Sequence, residues 1–141
     1  MEATPALAPR LPQAYASLSA AHKMAGDQPA AEACLERLIS SAGAGAGGEA
    51  TEVAAAEAAE NLGTMLLSRG EEARGTAQLA AAYALRRGLL AKGAAGCSHS
   101  DVQRARLLLG MARAEGMREA FVSAVASKNV DQLIAWKEAG Q

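Results

Sequence analysis

Aromatic residues are scarce in this sequence, which has one Trp, two Tyr and one Phe among its 141 residues. Alanine instead supplies roughly a quarter of the chain, well above ordinary usage. Ala is the strongest helix former, but it has the smallest apolar side chain that can fill a core. At roughly 25 cal/mol for each Å² buried, the composition predicts helices that pack closely and gain modest stability.

Cysteine is also rare, with only Cys34 and Cys97, which lie 63 positions apart. A structural zinc site needs clustered thiolate or imidazole ligands. Neither cysteine belongs to a CxxC pattern or lies near a pair of histidines. We therefore expect two free thiols, buried or half-buried, in a reducing compartment, and neither a metal nor a cofactor.

Long apolar runs and an excess of one charge are missing as well. No stretch approaches the 18 or so apolar residues of a membrane span. The formal net charge of −1 gives no general attraction to nucleic acid or acidic membrane. Residues 1–10 lack the basic and apolar regions of a secretory signal, and a single Arg10 is too little for a typical mitochondrial presequence. A cytoplasmic protein is expected, with mitochondrial import as the weaker alternative.

Apolar residues recur at spacings of three and four, which predicts seven α-helices, and no segment shows convincing β alternation. The expected fold class is therefore all-α, in a single helical domain. The expected parts are an extended lead-in at 1–10, hairpins at about 11–41, 50–88 and 100–127, and a terminal helix at 129–139.

Glycines and capping residues mark the expected ends of these helices. The glycines expected to turn the chain inside the three hairpins are Gly26, Gly70 and Gly116. Asp27 can cap the second helix, and either Ser98 or Ser100 can cap the fifth. A glycine-rich stretch at 42–48 is expected to form a loop between the first two hairpins.

Two stretches of the sequence share a pattern at an offset of 44 positions. In each, a large residue precedes a small one on the first helix, a glycine turns the chain, and a small residue follows early on the second helix. This arrangement lets two helices cross closely. The first stretch contains Tyr15, Leu18, Ser19, His22, Gly26, Ala31, Leu35 and Leu38, and the second contains Ala59, Leu62, Gly63, Leu66, Gly70, Gly75, Leu79 and Ala82.

The pattern resembles the tetratricopeptide repeat, whose signature is W-x-x-L-G-x-x-Y followed by A, F and P. Leu62-Gly63 matches the central dipeptide, whereas Ala59 replaces the aromatic residue and no proline closes either unit. The offset of 44 also exceeds the family's usual 34. A third unit would use Leu108, Leu109, Gly110, Gly116, Phe121 and Val125. HEAT-type or other α-solenoid repeats and a plain helical bundle remain alternatives.

The resemblance implies a short solenoid, capped by its last helix, that binds a protein segment in a groove lined by the first helix of each hairpin. The implied groove positions are Gln13, Ala16, Ser17, Ala20 and Lys23 in the first unit, and Glu57, Glu60, Asn61, Thr64 and Leu67 in the second. Chaperone-tail receptors of the family hold a carboxylate with a Lys/Asn/Arg clamp. Only Asn61 stands in a matching place, because Ala16 and Ala20 occupy two of the others, so that role is disfavoured.

Basic residues are concentrated in the second half of the chain. Between positions 86 and 118 they are Arg86, Arg87, Lys92, Arg104, Arg106, Arg113 and Arg118. A helical-repeat RNA-binding protein would use them for phosphate contacts, and this is the alternative function. The stretch lacks aromatic residues for base stacking. A solvated face, or one that docks an acidic protein partner through Arg104 and Arg106, is favoured.

Catalysis has no support in the sequence. The run from Cys97 to Asp101 contains the residue types of a nucleophilic triad, but adjacent positions rarely face a common centre. His22 is expected to be half-buried between helices rather than to act as a base or ligand. No phosphate loop or dinucleotide fingerprint is found.

Trp136, the only tryptophan, is expected either to cover the end of the last hairpin or to anchor the terminal helix in a partner. The sequence therefore predicts a non-catalytic adaptor or scaffold, a small subunit of a larger protein assembly. The partner segment would bind through the helical groove or the C-terminal helix. Membrane, nucleic acid and small-molecule substrates are disfavoured as partners.

Overall fold

The computed structural model describes residues 11–43, 48–127 and 130–140, and within these ranges the regular structure is entirely α-helical. The all-α class is therefore confirmed. The six described helices are α1 (Leu11–Met24), α2 (Gln28–Gly43), α3 (Gly48–Ser68), α4 (Glu72–Ala91), α5 (His99–Ala126) and α6 (Val130–Ala139). The expected lead-in at 1–10 and most of the glycine-rich loop lie outside the described residues.

The helices pack in chain order, as in a helical solenoid. Each helix contacts the next one, from α1 on α2 to α5 on α6, and α1 also contacts α3. Two hairpins, α1–α2 and α3–α4, therefore lie side by side, and α5 packs against α4. None of the described helices is both long enough and apolar enough to cross a membrane.

The two hairpins cross through small residues at equivalent positions. A Cβ atom on Gly75 would lie 2.9 Å from the carbonyl oxygen of Gly63, so the α3 and α4 backbones nearly touch. In the first hairpin, the hydroxyl of Ser19 donates a hydrogen bond to the carbonyl oxygen of Ala31 at 3.2 Å. Both contacts join residues twelve positions apart, and the two sites are 44 positions apart. The internal repeat in the sequence is thus also a repeat in the structure.

The turns within the two hairpins are equivalent as well. Gly26 and Gly70 both adopt φ 80, a left-handed conformation that favours glycine. The amide of the residue after each glycine donates back across the turn, from Asp27 to His22 O and from Glu71 to Leu66 O, both at 2.9 Å. Such bonds satisfy the last carbonyls of the preceding helix, so each turn both ends one helix and sets the direction of the next.

Two expected N-caps are confirmed. The amide of Ala30 donates to Asp27 Oδ1 at 3.2 Å at the start of α2. At the start of α5, the Asp101 amide donates to Ser98 Oγ at 3.3 Å, while the Ser98 amide donates to Asp101 Oδ2 at 2.8 Å. This reciprocal pair is a capping box, so Ser98 rather than Ser100 is the cap.

The third hairpin, expected at 100–127, is not formed. α5 runs unbroken from His99 to Ala126, so the described chain has six helices and the expectation of seven was wrong. Gly116 keeps a helical backbone, because a single internal glycine costs a helix only about 1 kcal/mol and α5 is held by its buried residues on α4. Gly110 faces open space rather than a helix crossing, so the third repeat unit proposed around it is wrong too.

Most of the buried apolar residues of the core are alanine or leucine. Leu35, Leu38, Leu62 and Leu66 form the cluster that joins α2 to α3. Five alanines are also fully buried in the core: Ala31, Ala55, Ala56, Ala59 and Ala82. The abundance of alanine therefore serves close helix packing, as the composition predicts.

Candidate protein-binding groove

An open cavity of about 250 Å³ lies between α1 and α3. Ala16 and Ala20 form its α1 wall, and their short side chains leave the space that longer residues would fill. Buried Leu35 and Leu38 of α2 lie at its apolar base. The remaining lining residues are Ser19, Lys23, Ala54, Glu57, Ala58, Asn61 and Met65.

Two shallower hollows continue this cavity along α3. One, of about 470 Å³, extends towards the start of α2 and is lined by Lys23, Gln28, Asn61, Thr64, Met65, Ser68 and Arg69. The other, of about 370 Å³, extends towards α5 and is lined by Glu57, Glu60, Asn61, Thr64, Arg104 and Leu108. Asn61 lines all three spaces. The three spaces share Asn61 and lie along α1, α3 and α5, and together they are here called the groove.

The rim of the groove is polar and of mixed charge. Lys23 on α1 and Glu57 on α3 are both exposed, and the exposed amide of Asn61 lies on the same face of α3 as Glu57. Amides both donate and accept hydrogen bonds. The groove thus combines an apolar base with a rim that can recognise peptide groups and charges of either sign.

A buried ion pair supports the α5 end of the groove. Glu60 Oε1 accepts a hydrogen bond from Arg86 Nε at 3.1 Å, and Glu60 Oε2 lies 3.4 Å from Arg104 Nη2. Arg86 is only 1% exposed. Burial lowers the pKa of its guanidinium, but the hydrogen bond and the charge of Glu60 outweigh burial and raise that pKa overall. Arg86 therefore stays charged, and its charge is balanced inside the protein.

The predicted groove residues do not all lie in the groove. The predicted residues that line it are Lys23, Glu57, Glu60, Asn61, Thr64 and Arg104, together with Ala16 and Ala20. Gln13, Ser17 and Arg106 are exposed but are not among the lining residues. The Trp136 side chain lies outside the described part of the structure.

Two of the predicted groove residues, Glu60 and Leu67, have contacts in the core. The carboxylate of Glu60 is engaged by Arg86 and Arg104, so it borders the groove but holds α3, α4 and α5 together. Leu67 contacts the α3–α4 crossing, where a Cβ atom on Gly75 would lie 2.8 Å from its Cγ. The placement of Leu67 in the groove was therefore wrong.

Met65 is a lining residue that the sequence analysis missed. It lies one helical turn beyond Asn61 and contributes to both the central cavity and the hollow near α2. Its spacing from Asn61 was a signal that could have revealed it. Ala54, three positions before Glu57, was missed in the same way.

The basic stretch from Arg86 to Arg118 is not a continuous cationic surface. Arg86 is buried against Glu60, and Lys92 Nζ lies 3.0 Å from Glu52 Oε2. Arg118 forms an ion pair with Glu115 on its own helix. The exposed members Arg87, Arg106 and Arg113 are spread over α4 and α5. The basic residues of this stretch therefore do not share one face of the described structure.

Three further expectations concern individual reactive groups. Cys34 and Cys97 are buried free thiols, as predicted, and Cys97 Sγ lies 3.4 Å from the carbonyl oxygen of Arg86. His22 is partly buried, also as predicted, and its Nδ1 lies 4.0 Å from Asp27 Oδ2. In the run from Cys97 to Asp101, the Ser98 hydroxyl and the Asp101 carboxylate form the α5 cap rather than a nucleophilic centre.

Comparison with protein-family models, curated protein sequences and solved structures finds no match to this chain.

Proposed function

We propose that this protein is a non-catalytic adaptor, a small subunit of a larger protein assembly, that holds a partner segment in the groove along α1, α3 and α5. The observation that carries the proposal is the position of Asn61, which lines all three spaces. A central amide can hydrogen-bond the backbone or a polar side chain of a bound segment wherever that segment enters. The likeness to tetratricopeptide repeats is part of the same proposal.

The central cavity suits a side chain of a partner segment. It is open to solvent and measures about 250 Å³. One large apolar side chain of a partner would fit between Ala16 and Ala20 and rest on Leu35 and Leu38. Apolar anchors of this kind, with polar contacts around them, are how grooves between helices take up amphipathic segments.

The mixed charge of the rim supports a protein partner over a nucleic acid. Lys23 and Glu57 of opposite sign line the same cavity, whereas a phosphate backbone would need uniformly basic walls. The two buried free thiols support a reducing compartment, and we accordingly propose the cytosol as the location.

The test is to fill the cavity. Ala20→Trp would place an indole in the space that the partner side chain needs, and Ala84→Trp, at an exposed position of α4, is the matched control. Helical and extended peptides would be selected from a displayed library against the wild-type protein, and their affinities measured by calorimetry. We expect Ala20→Trp to weaken a selected peptide by at least about tenfold, as loss of an anchor does, and Ala84→Trp to leave its affinity unchanged.

A photo-crosslinking amino acid at position 20 provides a second readout in whole-cell extract. The polypeptides that become cross-linked to this residue should no longer be recovered when the selected peptide is added in excess. The proposal fails if peptides bind both Trp variants as they bind the wild type. Recovery of cross-linked RNA instead of polypeptide would favour the alternative, a helical-repeat RNA-binding protein.

A further inference from the structure

Two charged side chains that line the groove have no counter-ion in the described structure. Lys23 on α1 and Glu57 on α3 both line the central cavity, and both are exposed. They do not form an ion pair with each other. Within the described part of the chain, neither side chain forms an ion pair or a hydrogen bond with any other residue. Both charges are therefore available to a bound segment.

The other charges at the α5 end of the groove neutralise one another. Arg86 Nε lies 3.1 Å from Glu60 Oε1. Arg104 Nη2 lies 3.4 Å from Glu60 Oε2 and 3.6 Å from Asp101 Oδ1. These two bases and two acids carry no net charge as a group. The charged residues that line the hollow towards α5 are Glu57, Glu60 and Arg104, so the carboxylate of Glu57 is the unbalanced charge there.

At the α2 end of the groove, one of the two bases is already paired. The charged residues that line the hollow there are Lys23 and Arg69. Arg69 Nη1 lies 2.5 Å from Glu32 Oε1, and Arg69 Nη2 lies 2.5 Å from Glu71 Oε1. The remaining lining residues of this hollow are uncharged, so the ammonium group of Lys23 is the charge that is left without a counter-ion.

The two unpaired charges lie towards opposite ends of the groove. Lys23 lines the hollow towards α2 but not the one towards α5, whereas Glu57 lines the hollow towards α5 but not the one towards α2. The central cavity that both residues line has Leu35 and Leu38 at its base. A segment with charges of one sign would meet a like charge at one end, which costs affinity. A segment with charges of both signs would meet an opposite charge at each end.

We propose that the partner segment carries an apolar anchor with an acidic side chain on one side of it and a basic side chain on the other. The anchor occupies the central cavity, the acid pairs with Lys23, and the base pairs with Glu57. This inference rests on the proposed function and narrows the partner to segments with this order of charges. Side chains on one face are three or four positions apart in a helix and two apart in a strand. Each charge therefore lies within about four positions of the anchor.

The two ion pairs set the specificity of the groove more than its total affinity. Because Lys23 and Glu57 are exposed, each pair should change the affinity by less than about sixfold. Reversal of one groove charge exchanges an attraction for a repulsion, so its effect should be larger than that of simple removal. Salt screens exposed charges, and the affinity of the wild type should therefore fall as the salt concentration rises.

The first experiment uses the full chain and the peptides selected against it from the displayed library. These peptides should share an apolar residue with an acid on one side and a base on the other. In calorimetry, Lys23→Glu and Glu57→Lys should each weaken such a peptide by roughly three- to tenfold. Arg113→Glu and Glu138→Lys are the matched controls, because both residues are exposed and line none of the three spaces of the groove. Both controls should leave the affinity unchanged, and circular dichroism would verify that all four variants stay helical.

The second experiment exchanges the charges of the peptide to match each variant. A selected peptide whose acid is replaced by lysine should bind Lys23→Glu more tightly than it binds the wild type. A peptide whose base is replaced by glutamate should likewise prefer Glu57→Lys. A purely structural effect of either substitution would weaken all peptides alike and would not reverse this preference.

The results distinguish failure of this inference from failure of the proposed function. If Ala20→Trp weakens the selected peptides but neither charge reversal does, the groove binds its partner without these ion pairs, and the inference is overturned while the proposed function stands. Selected peptides without opposite charges beside the anchor would have the same meaning. If the library yields no peptide, or if Ala20→Trp leaves binding unchanged, the proposed function fails and this inference fails with it. Tighter binding of each exchanged peptide to its matching variant supports both.

Discussion

Glu60 and Arg86 form a buried ion pair that joins α3 to α4, with Glu60 Oε1 at 3.1 Å from Arg86 Nε. The two residues lie 26 positions apart in the chain. The pair also reaches α5, because Arg104 contacts the second oxygen of Glu60. One carboxylate on the border of the groove thus ties three helices together.

Loss of Glu60 should destabilise the protein strongly. Glu60→Ala would leave the Arg86 guanidinium buried without its counter-charge, and removal of one member of a buried pair typically costs about 3–5 kcal/mol. Urea unfolding followed by circular dichroism measures the free energy of unfolding directly.

Replacement of both residues gives the control for that experiment. Glu60→Leu combined with Arg86→Met removes both charges and keeps apolar volume, so the double variant should be more stable than Glu60→Ala. If Glu60→Ala costs less than about 1 kcal/mol, the range of a surface pair, then the pair is not buried as described.

A methyl group at the α3–α4 crossing should be destabilising. The Cβ atom of Gly63→Ala would lie 2.8 Å from Leu79 Cγ and 3.0 Å from the carbonyl oxygen of Gly75. The Leu79 side chain can shift, but the Gly75 backbone cannot without separating the helices. Overpacking costs about 1–3 kcal/mol, and this should exceed the gain in helix propensity. Gly88→Ala, where nothing lies within 4 Å of the added atom, should instead be neutral or stabilising in the same thermal melts.

Gly116→Ala should stabilise the protein, because Gly116 is inside α5 and not at a turn. Its Cβ atom would approach nothing closer than Glu72 Oε2 at 3.9 Å, and Ala is favoured over Gly in a helix by up to about 1 kcal/mol. Gly70→Ala is the contrast, since φ 80 at that turn is strained for any residue with a Cβ atom. A lower melting temperature for Gly116→Ala would show that the chain turns there after all.

The α5 cap should make stability depend on pH. Hydrogen bonds from the Ser98 amide and hydroxyl lower the pKa of the Asp101 carboxyl below its ordinary value. A carboxyl with a lowered pKa stabilises the fold above its unfolded-state pKa, about 3.9, and that contribution is lost as the pH falls through the lower folded-state pKa. Wild type should therefore melt at a higher temperature than Asp101→Asn near neutral pH.

The difference between wild type and Asp101→Asn should shrink as both are acidified below about pH 4. Ser98→Ala, which removes the hydroxyl of the same cap, should cost about 1 kcal/mol. A difference between wild type and Asp101→Asn that is constant from neutral to acidic pH would mean that the charge of Asp101 does not act through this cap.

The sequence located the turns and crossings of the first two hairpins correctly because those features are local. A glycine seven positions after a small residue, with another small residue five positions later, predicts a helix, a left-handed turn and a close crossing. Ser19, Gly26 and Ala31 satisfy the pattern, and so do Gly63, Gly70 and Gly75. In each case the whole pattern spans 13 residues.

Gly116 shows why the same logic failed further along the chain. A glycine ends a helix only when the following segment gains more by turning back than by continuing. Whether the chain turns or continues at Gly116 is decided by the packing of α5 against α4 and α6. These contacts cannot be read from the residues around Gly116. The neighbouring helices also decide which side chains of a helix are covered: Leu67 lies on the side of α3 that faces α4, where Gly75 leaves it room.

By itself, the sequence determined that the chain is helical, where the first two hairpins turn, and which small residues let their helices cross. These follow from helix propensity, glycine conformation and residue spacing, all of which act over a few positions. Only the tertiary structure decided that Arg86 is buried against Glu60, that α5 continues through Gly116, and that Asn61 lines all three spaces of the groove. Each of these depends on contacts between helices, and residue spacing within one helix does not specify which neighbour it will meet.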